Sequence, residues 1–180
     1  MKYVIDGNIS SGKSTQVSLL AEDGYDVKKE PIEDWPLDQY YSDPKRWGFL
    51  FQMAVLHSHS KTIDTDLCIY ERSPGSGIHV FWPVMEKDEV EDMIYKKFYK
   101  ELGWEPDVYI FIDKSPEKCY EHIIQRDQTG DNGVQFYYLK NLDIQYQKYF
   151  SELSCRKFRI DGNQTIEKVH EDILKILKSN

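Results

Sequence analysis

A phosphate-binding motif near the N-terminus constrains the fold of this chain more than any other feature. Residues 7–15 read Gly-Asn-Ile-Ser-Ser-Gly-Lys-Ser-Thr, which fits G-x-x-x-x-G-K-[ST], and they directly follow the strand-like run 2–6. In such a loop, glycines let successive N–H groups face phosphate oxygens, and the next helix adds its positive N-terminus. Lys13 then reaches the β- and γ-phosphates, while the Ser14 hydroxyl can ligate Mg²⁺. The predicted nucleoside triphosphate site consists of Gly7, Asn8, Ile9, Ser10, Ser11, Gly12, Lys13, Ser14 and Thr15.

Short strand-like runs alternate with longer helical patterns along the whole chain. Several runs are apolar without strict alternation, which is typical of parallel strands with helices on both faces. The strand candidates are residues 2–6, 25–29, 67–70, 107–112 and 156–160. The helix candidates are residues 12–22, 44–64 and 165–178, and a further helix that begins at Ser115 and Pro116. The expected core stripe of the second helix consists of Trp47, Leu50, Phe51, Ala54 and Val55. This order of elements predicts a three-layer α/β fold.

Length, charge and cysteine content exclude several classes of protein. The 180 residues contain no repeat or linker and predict one domain, residues 1–180. The 23 basic and 31 acidic residues give a net charge of −8, which disfavours binding to nucleic acid or anionic membranes. The longest uncharged apolar run, residues 78–85, is far shorter than the roughly 18 residues of a membrane helix. With no signal peptide and three widely spaced cysteines (Cys68, Cys119 and Cys155), we expect a cytoplasmic protein.

The segments that follow the motif favour a small-molecule kinase. The chain has no Asn-Lys-x-Asp guanine motif, and the strand candidate 67–70 ends in Glu71-Arg72 rather than in the Asp that ATPase motors need. Further along come Glu-Pro-x-Glu-x-Trp from Glu30, Asp-Pro-x-x-Trp and Phe-Gln within residues 43–52, and residues 134–139 after Arg126. Together with Glu-Arg-Ser at residue 71, this ordered set resembles the deoxynucleoside kinase family, which includes thymidine, deoxycytidine and deoxyguanosine kinases. The resemblance covers essentially the whole chain.

This resemblance implies a P-loop kinase fold, with a five-stranded parallel sheet flanked by helices. It also implies transfer of the γ-phosphoryl group of ATP, with Mg²⁺, to the 5′-hydroxyl of a deoxynucleoside, in nucleotide salvage for DNA synthesis. A hydroxyl acceptor needs a group that takes its proton, and a carboxylate beside the P-loop suits that task. By resemblance this carboxylate is Glu30. Arg72 then holds the 5′ oxygen, Lys13 and Arg126 add positive charge around the phosphoryl group, and Glu71 organises Mg²⁺ together with Ser14.

The family pattern also assigns the acceptor site. Gln52 matches the glutamine that reads a base edge through a paired amide hydrogen bond, and Trp35 matches the aromatic lining. Tyr41 matches the residue that contacts the sugar 3′-hydroxyl, and Asp131, with a shorter side chain, stands where the family has a glutamate that contacts the same hydroxyl. For Trp35, Tyr41 and Gln52, an ordinary structural role in the core is the alternative.

Two further positions bear on the identity of the base. His59 shares a helix face with Gln52, two turns along. His59 and Gly77 stand where deoxycytidine-specific members carry an arginine and its aspartate partner. Without that charged pair, and with room for a thymine methyl at Gly77, we expect a preference for thymidine or for pyrimidine deoxynucleosides broadly. A histidine on the helix surface is the alternative for His59.

Other functions and the assembly stay open at this point. A lid at about residues 122–133 keeps Arg126, but His122 and Gln128 stand where family members often have arginines. A nucleoside monophosphate kinase is the alternative enzyme, and a nucleotide-binding scaffold without turnover is the non-enzymatic alternative. Shortened helices within residues 82–106, together with residues 44–64, would form the interface of a homodimer.

Overall fold

The centre of the fold is a parallel sheet with the first strand in its middle. A computed structural model describes residues 1–62, 66–126 and 133–179. Within these residues, the strands are β1 (Lys2–Asp6), β2 (Val27–Lys28), β3 (Cys68–Glu71), β4 (Val108–Asp113) and β5 (Arg156–Asp161). Their order is β2-β3-β1-β4-β5, and every pair is parallel. The loops that follow β1 and β3 therefore leave the same edge of the sheet side by side.

Helices cover both faces of this sheet. They are α1 (Lys13–Glu22), α2 (Leu37–Ser42), α3 (Pro44–Ser60), α4 (Glu89–Leu102), α5 (Pro116–Arg126), α6 (Phe136–Glu152) and α7 (Ile166–Lys178). Short helical turns occupy Ile32–Asp34, Pro74–Ser76 and Trp82–Val84, and a wider π-type turn occupies Gly77–Phe81. The predicted three-layer fold, a five-stranded parallel sheet between helices, is confirmed.

Two apolar clusters hold the layers together because neighbouring residues of each strand face opposite ways. On one face, Tyr3 and Ile5 of β1 pack with residues of α1 and α7. On the other face, Val4 of β1 packs with Leu142 and Tyr146 of α6. The core strands are buried on both faces, as their sequences indicated.

Several boundaries differ from the predicted ones. β2 contains only Val27–Lys28 instead of residues 25–29. Helix α3 ends at Ser60, whereas the sequence predicted a helix to residue 64; residues 63 and 64 lie outside the described residues. Asp43 does cap α3, since its carboxylate accepts a hydrogen bond from the Arg46 amide. The prediction that Leu50 belongs to the core stripe is wrong, because this side chain is 52% exposed.

In the described segments, no helix has both the length and the apolar character needed to cross a membrane.

Candidate active site

A cleft of about 600 Å³ opens at the carboxyl edge of the sheet, where parallel α/β sheets bind their ligands. The loop after β1 forms its floor, and the ends of β2 and β3 form one side. Helix α3 and the segment before it form the opposite wall. The lining includes most of the side chains that the sequence assigned, namely Ile9, Ser10, Lys13, Ser14, Thr15, Glu30, Trp35, Tyr41, Gln52, Glu71, Arg72, Gly77 and Arg126.

The loop after β1 has the backbone of an anion-binding nest. Ser10 adopts φ 63° and Gly12 adopts φ 102°, left-handed conformations that turn successive N–H groups towards one side. Gly7 has no room for a side chain, since a Cβ there would lie 2.5 Å from the Ile112 carbonyl oxygen. Lys13 closes the nest: its Nζ donates to the Asn8 carbonyl oxygen at 2.7 Å. This geometry is suited to phosphate groups.

Burial changes the acid–base behaviour of Lys13. Only 4% of this residue is exposed. Loss of hydration lowers its pKa to about 8, and the positive charge of Arg72 acts in the same direction. Phosphate oxygens in the nest would replace the lost hydration, so the geometry favours an anionic ligand.

Ser14 and Glu71 form a pair of oxygen ligands at the mouth of the nest. The Ser14 hydroxyl donates to Oε1 of Glu71 at 2.5 Å, and the Glu30 amide lies 3.4 Å from the other carboxylate oxygen. Hydroxyl and carboxylate oxygens are what Mg²⁺ prefers, and Mg²⁺ usually takes few protein ligands besides substrate phosphates and water. The described residues contain no cluster of three or more His, Cys, Asp or Glu side chains fit to hold a metal by themselves. The donor set thus fits Mg²⁺ bound jointly with a nucleotide.

Glu30 and Arg72 make a buried ion pair inside the cleft. Nη1 of Arg72 lies 2.5 Å from Oε2 of Glu30, and about 5–9% of each side chain is exposed. Burial by itself would lower the pKa of Arg72, but Glu30, Tyr146 and Asp6 together raise it well above its usual value. The guanidinium also lies over the Phe81 ring at 5.0 Å. A carboxylate and a permanent cation therefore stand next to each other within reach of the phosphate nest.

Sequence reasoning did not identify Asp6, a buried carboxylate that forms a second ion pair with Arg72. Asp6, the last residue of β1, is fully buried and accepts hydrogen bonds from Tyr146, Tyr109 and Ser76. The one signal in the sequence was an acidic residue at the end of an otherwise apolar strand. Its tyrosine partners come from positions 103 and 140 residues away, which no local pattern reveals.

The opposite wall of the cleft is aromatic and contains one buried amide. Trp35 lies edge-on to Phe51 and to His59, and its Nε1 donates to the Ser58 hydroxyl at 3.1 Å. Gln52 is 2% exposed. The Tyr95 hydroxyl, another group that the sequence did not suggest, donates to Oε1 of Gln52 at 3.3 Å. The wall thus combines flat apolar surfaces with an oriented amide, as a planar ligand would need.

His59 is buried in the cleft, so its interpretation as a helix-surface residue is wrong. Only 6% of it is exposed, and neither ring nitrogen has a hydrogen-bond partner among the described residues. Nε2 lies 3.8 Å from Oε1 of Glu30, within the range of an ion pair. However, burial, with the nearby charge of Arg72, lowers the pKa of His59 to about 4. We therefore assign a neutral imidazole at neutral pH and no ion pair.

The remaining assigned residues lie around the rim of the cleft. Tyr41 and Arg126 both line it, and Arg126 is the exposed last residue of α5. Tyr40 and Tyr138, which the sequence did not single out, also line the cleft and share a hydrogen bond between their hydroxyls. Asp131, like Gln128 and half of the expected lid (residues 127–132), lies outside the described residues.

Comparison with protein families assigns nearly the whole chain to one model. Residues 3–179 match the family described as deoxynucleoside kinase. A fowlpox virus protein named a probable deoxycytidine kinase is 32% identical over 177 residues, covering 88% of this chain and 75% of the relative. The thymidine kinase of ictalurid herpesvirus 1 is 28% identical, covering 97% and 85%. The deoxycytidine kinase of Mus musculus is 24% identical, covering 98% and 89%.

Solved structures confirm the fold. A deoxyadenosine kinase from M. mycoides with dCMP and dCDP bound superposes with a TM-score of 0.90 over 100% of both chains, at 24% identity. The same enzyme with dATP bound gives a TM-score of 0.85 over 99% of both chains.

Proposed function

Because this chain belongs to the deoxynucleoside kinase family, we propose that it transfers the γ-phosphoryl group of ATP to the 5′-hydroxyl of a deoxynucleoside, with a preference for thymidine or for pyrimidine deoxynucleosides broadly. The observation that carries this proposal is the Glu30–Arg72 pair beside Lys13, all three lining one cleft. This activity would serve nucleotide salvage for DNA synthesis in the cytoplasm.

Glu30 is the proposed base. In the reaction, the acceptor 5′-oxygen forms a bond to the γ-phosphorus, and the bond from that phosphorus to the β–γ bridging oxygen breaks. The hydroxyl proton passes to Glu30, and the products are ADP and a deoxynucleoside 5′-monophosphate. Arg72 and Lys13 hold positive charge where the transferring group carries negative charge, and Arg126 adds to it from the rim. Such preorganised charge is among the larger contributions to catalysis of this kind.

Ser14 and Glu71 are the proposed magnesium ligands, Glu71 through water. When bound, Mg²⁺ would neutralise charge on the β- and γ-phosphates. The 2.5 Å contact between Ser14 and Glu71 keeps both oxygens on the side of the cleft where the nest lies.

The acceptor base is proposed to lie between the aromatic side chains and Gln52. Tyr95 donates to Oε1 of Gln52 and thereby fixes the orientation of the amide. His59 is neutral and Gly77 has no side chain, so these two positions supply no charged pair to select a cytosine amino group. These features support thymidine or broad pyrimidine use. Tyr41 is the proposed partner of the sugar 3′-hydroxyl, with Asp131 a further candidate from the sequence alone.

The test is acceptor-dependent formation of ADP from MgATP. Thymidine, deoxycytidine, deoxyguanosine, deoxyadenosine and thymidine monophosphate are compared in parallel, with Lys13→Ala and Glu30→Gln as controls. We expect turnover with thymidine that both substitutions abolish. Turnover with the monophosphate alone would replace this proposal by a monophosphate kinase. ATP binding without turnover of any acceptor would favour a non-catalytic scaffold.

The homodimer stays a prediction. Leu50 of α3 and Val90 and Met93 of α4 are apolar and 52–64% exposed, which supports an interface at these helices. Light scattering coupled to size-exclusion chromatography measures the mass in solution, which a dimer would double.

A further inference from the structure

Asp6 connects separate parts of the active site through its buried carboxylate. Its oxygens have no solvent contact, since the residue is 0% exposed. Oδ1 accepts from the Gly7 amide at 2.8 Å and from the Tyr146 hydroxyl at 2.9 Å. Oδ2 accepts from Tyr109 at 2.8 Å and from Ser76 at 2.5 Å. One carboxylate thus ties the start of the phosphate nest to β4, to α6 and to the turn before Gly77.

Arg72 is the cation nearest to this carboxylate. Its Nε lies 3.5 Å from Oδ1 of Asp6 and donates to the Tyr146 hydroxyl at 3.2 Å. Tyr146 therefore accepts from Arg72 while it donates to Asp6. The opposite side of the guanidinium, Nη1, is the side that contacts Glu30. Arg72 also has φ 59°, a left-handed conformation that a side chain disfavours and that surrounding contacts must maintain.

The Arg72 guanidinium forms ion pairs with two carboxylates, Glu30 and Asp6, which have different roles in the proposed reaction. Glu30 lines the cleft and is the proposed base, so it loses its negative charge when it takes the acceptor proton. Asp6 is sealed from the cleft and accepts four hydrogen bonds, so the acceptor proton does not reach it. A buried cation that lost its only partner would be strongly disfavoured. Asp6 therefore keeps a counter-charge beside Arg72 during the step in which Glu30 is neutralised.

We propose that Asp6 and Tyr146 are positioning residues that hold the Arg72 guanidinium in its catalytic orientation, with Nη1 towards Glu30. This inference rests on the proposed role of Arg72 in phosphoryl transfer. Asp6 pairs with the Nε side of the guanidinium, away from the Nη1 atom that contacts Glu30. Tyr146 bridges the two residues, since its hydroxyl accepts from Nε of Arg72 and donates to Asp6.

The chain offers a matched pair of variants for the test. Tyr146 and Tyr109 are both fully buried, and each donates its hydroxyl hydrogen bond to Asp6. Only the Tyr146 hydroxyl also accepts from Arg72. Tyr146→Phe and Tyr109→Phe therefore remove similar bonds from Asp6 and differ in their effect on Arg72. Asp6→Asn is less suitable. The NH₂ group of the asparagine would face the groups that donate hydrogen bonds to the carboxylate, and this unsatisfied contact would destabilise the whole fold.

The kinetic measurement compares kcat, KM and pH profiles of both variants with the deoxynucleoside that the unsubstituted protein uses best. We expect Tyr146→Phe to lower kcat by about tenfold or more with an unchanged KM for ATP, and Tyr109→Phe to change kcat by less than about twofold. The acidic limb of kcat/KM, which reports the free-enzyme base, should move to higher pH only in Tyr146→Phe. Equal kcat values and equal pH profiles in the two variants would overturn the inference.

A second measurement does not depend on turnover. NMR of ¹⁵N-labelled protein detects the Nε–H proton of Arg72, and the signal is assigned by its absence in Arg72→Lys. This proton should exchange slowly with solvent in the unsubstituted protein and in Tyr109→Phe. It should exchange fast in Tyr146→Phe. If the protein turns over no acceptor while this pattern holds, the proposed function fails and the positioning network stands. Equally slow exchange in both variants would reject the network.

Discussion

Nη1 of Arg72 donates a 2.5 Å hydrogen bond to Oε2 of Glu30, although the two residues are 42 positions apart in the sequence. Both side chains are almost fully buried, so neither charge would be stable there alone. The second carboxylate oxygen, Oε1, points towards neutral His59 rather than towards a cation. Glu30 thus has one oxygen held by Arg72 and one available to a ligand hydroxyl.

Glu30→Gln should lower kcat by about 10²- to 10⁴-fold, because general-base catalysis typically contributes that much. Binding of MgATP should change little, since Glu30 is on the acceptor side of the nest. Steady-state kinetics with thymidine and ATP titration of intrinsic fluorescence measure the two quantities. The matched control is Glu33→Gln, an exposed carboxylate of the same segment, which should retain full activity. A Glu30→Gln variant that keeps most of its kcat would remove Glu30 from the reaction.

Lys13 should make ATP binding weaken above about pH 8. Its pKa in the unliganded protein is about 8, lowered by burial and by Arg72. A triphosphate binds the protonated form, so affinity is full below that pH and is lost as the proton dissociates. Between about pH 7 and pH 9, we expect the Kd for ATP to rise by about tenfold. Calorimetric titration at several pH values measures it.

Lys13→Met provides the comparison for this pH dependence. The thioether is similar in length and carries no charge, so the variant should bind ATP weakly and with a flat pH profile over the same range. If the unsubstituted protein showed an equally flat profile, Lys13 would not be titrating in the free site.

The sequence was sufficient for features that depend on neighbouring residues. The phosphate nest is one continuous segment, and β1 begins and ends as predicted, because its pattern is local. Glu30 and Arg72 could be placed together only because the carboxyl ends of parallel strands share an edge. The hydrogen bond from Tyr95 to Gln52 and the Asp6 network could not be predicted, since they join residues 43 to 140 positions apart. Leu50 follows the helical periodicity of α3 but is exposed, because the rest of the fold determines which stripe is covered.

His59 should make the fold less stable in acid. Its pKa falls from 6.5 to about 4 on burial, aided by Arg72. The unfolded chain therefore binds more protons between about pH 6.5 and pH 4, and the free energy of unfolding decreases as the pH falls through this window. The full effect is at most about 3 kcal/mol, since one unit of pKa corresponds to about 1.4 kcal/mol. Urea unfolding at several pH values measures it.

The variant His59→Gln carries no titratable group and should lose this part of the acid dependence. His57→Gln is the matched control, because His57 lies on the same helix and is exposed. Identical pH dependence in the His59 and His57 variants would show that His59 titrates normally and is not buried as a neutral ring.

The space beside Gln52 depends on the absence of a side chain at Gly77, and this predicts an effect on the acceptor. A Cβ at Gly77 would lie 2.7 Å from the Tyr95 hydroxyl and 3.6 Å from Oε1 of Gln52. Tyr95 cannot easily retreat, because its ring is fully buried and stacked on Trp82 at 4.4 Å. Gly77→Ala should therefore displace the Gln52 amide and raise KM for the deoxynucleoside by about tenfold, while KM for ATP stays constant.

Tyr95→Phe removes the oxygen that clashes with the new Cβ, so the double variant should recover part of the lost acceptor affinity. Steady-state kinetics on the complete double-mutant cycle measure this coupling. If the effects of the two substitutions on KM are simply additive, Gly77 does not act through Tyr95.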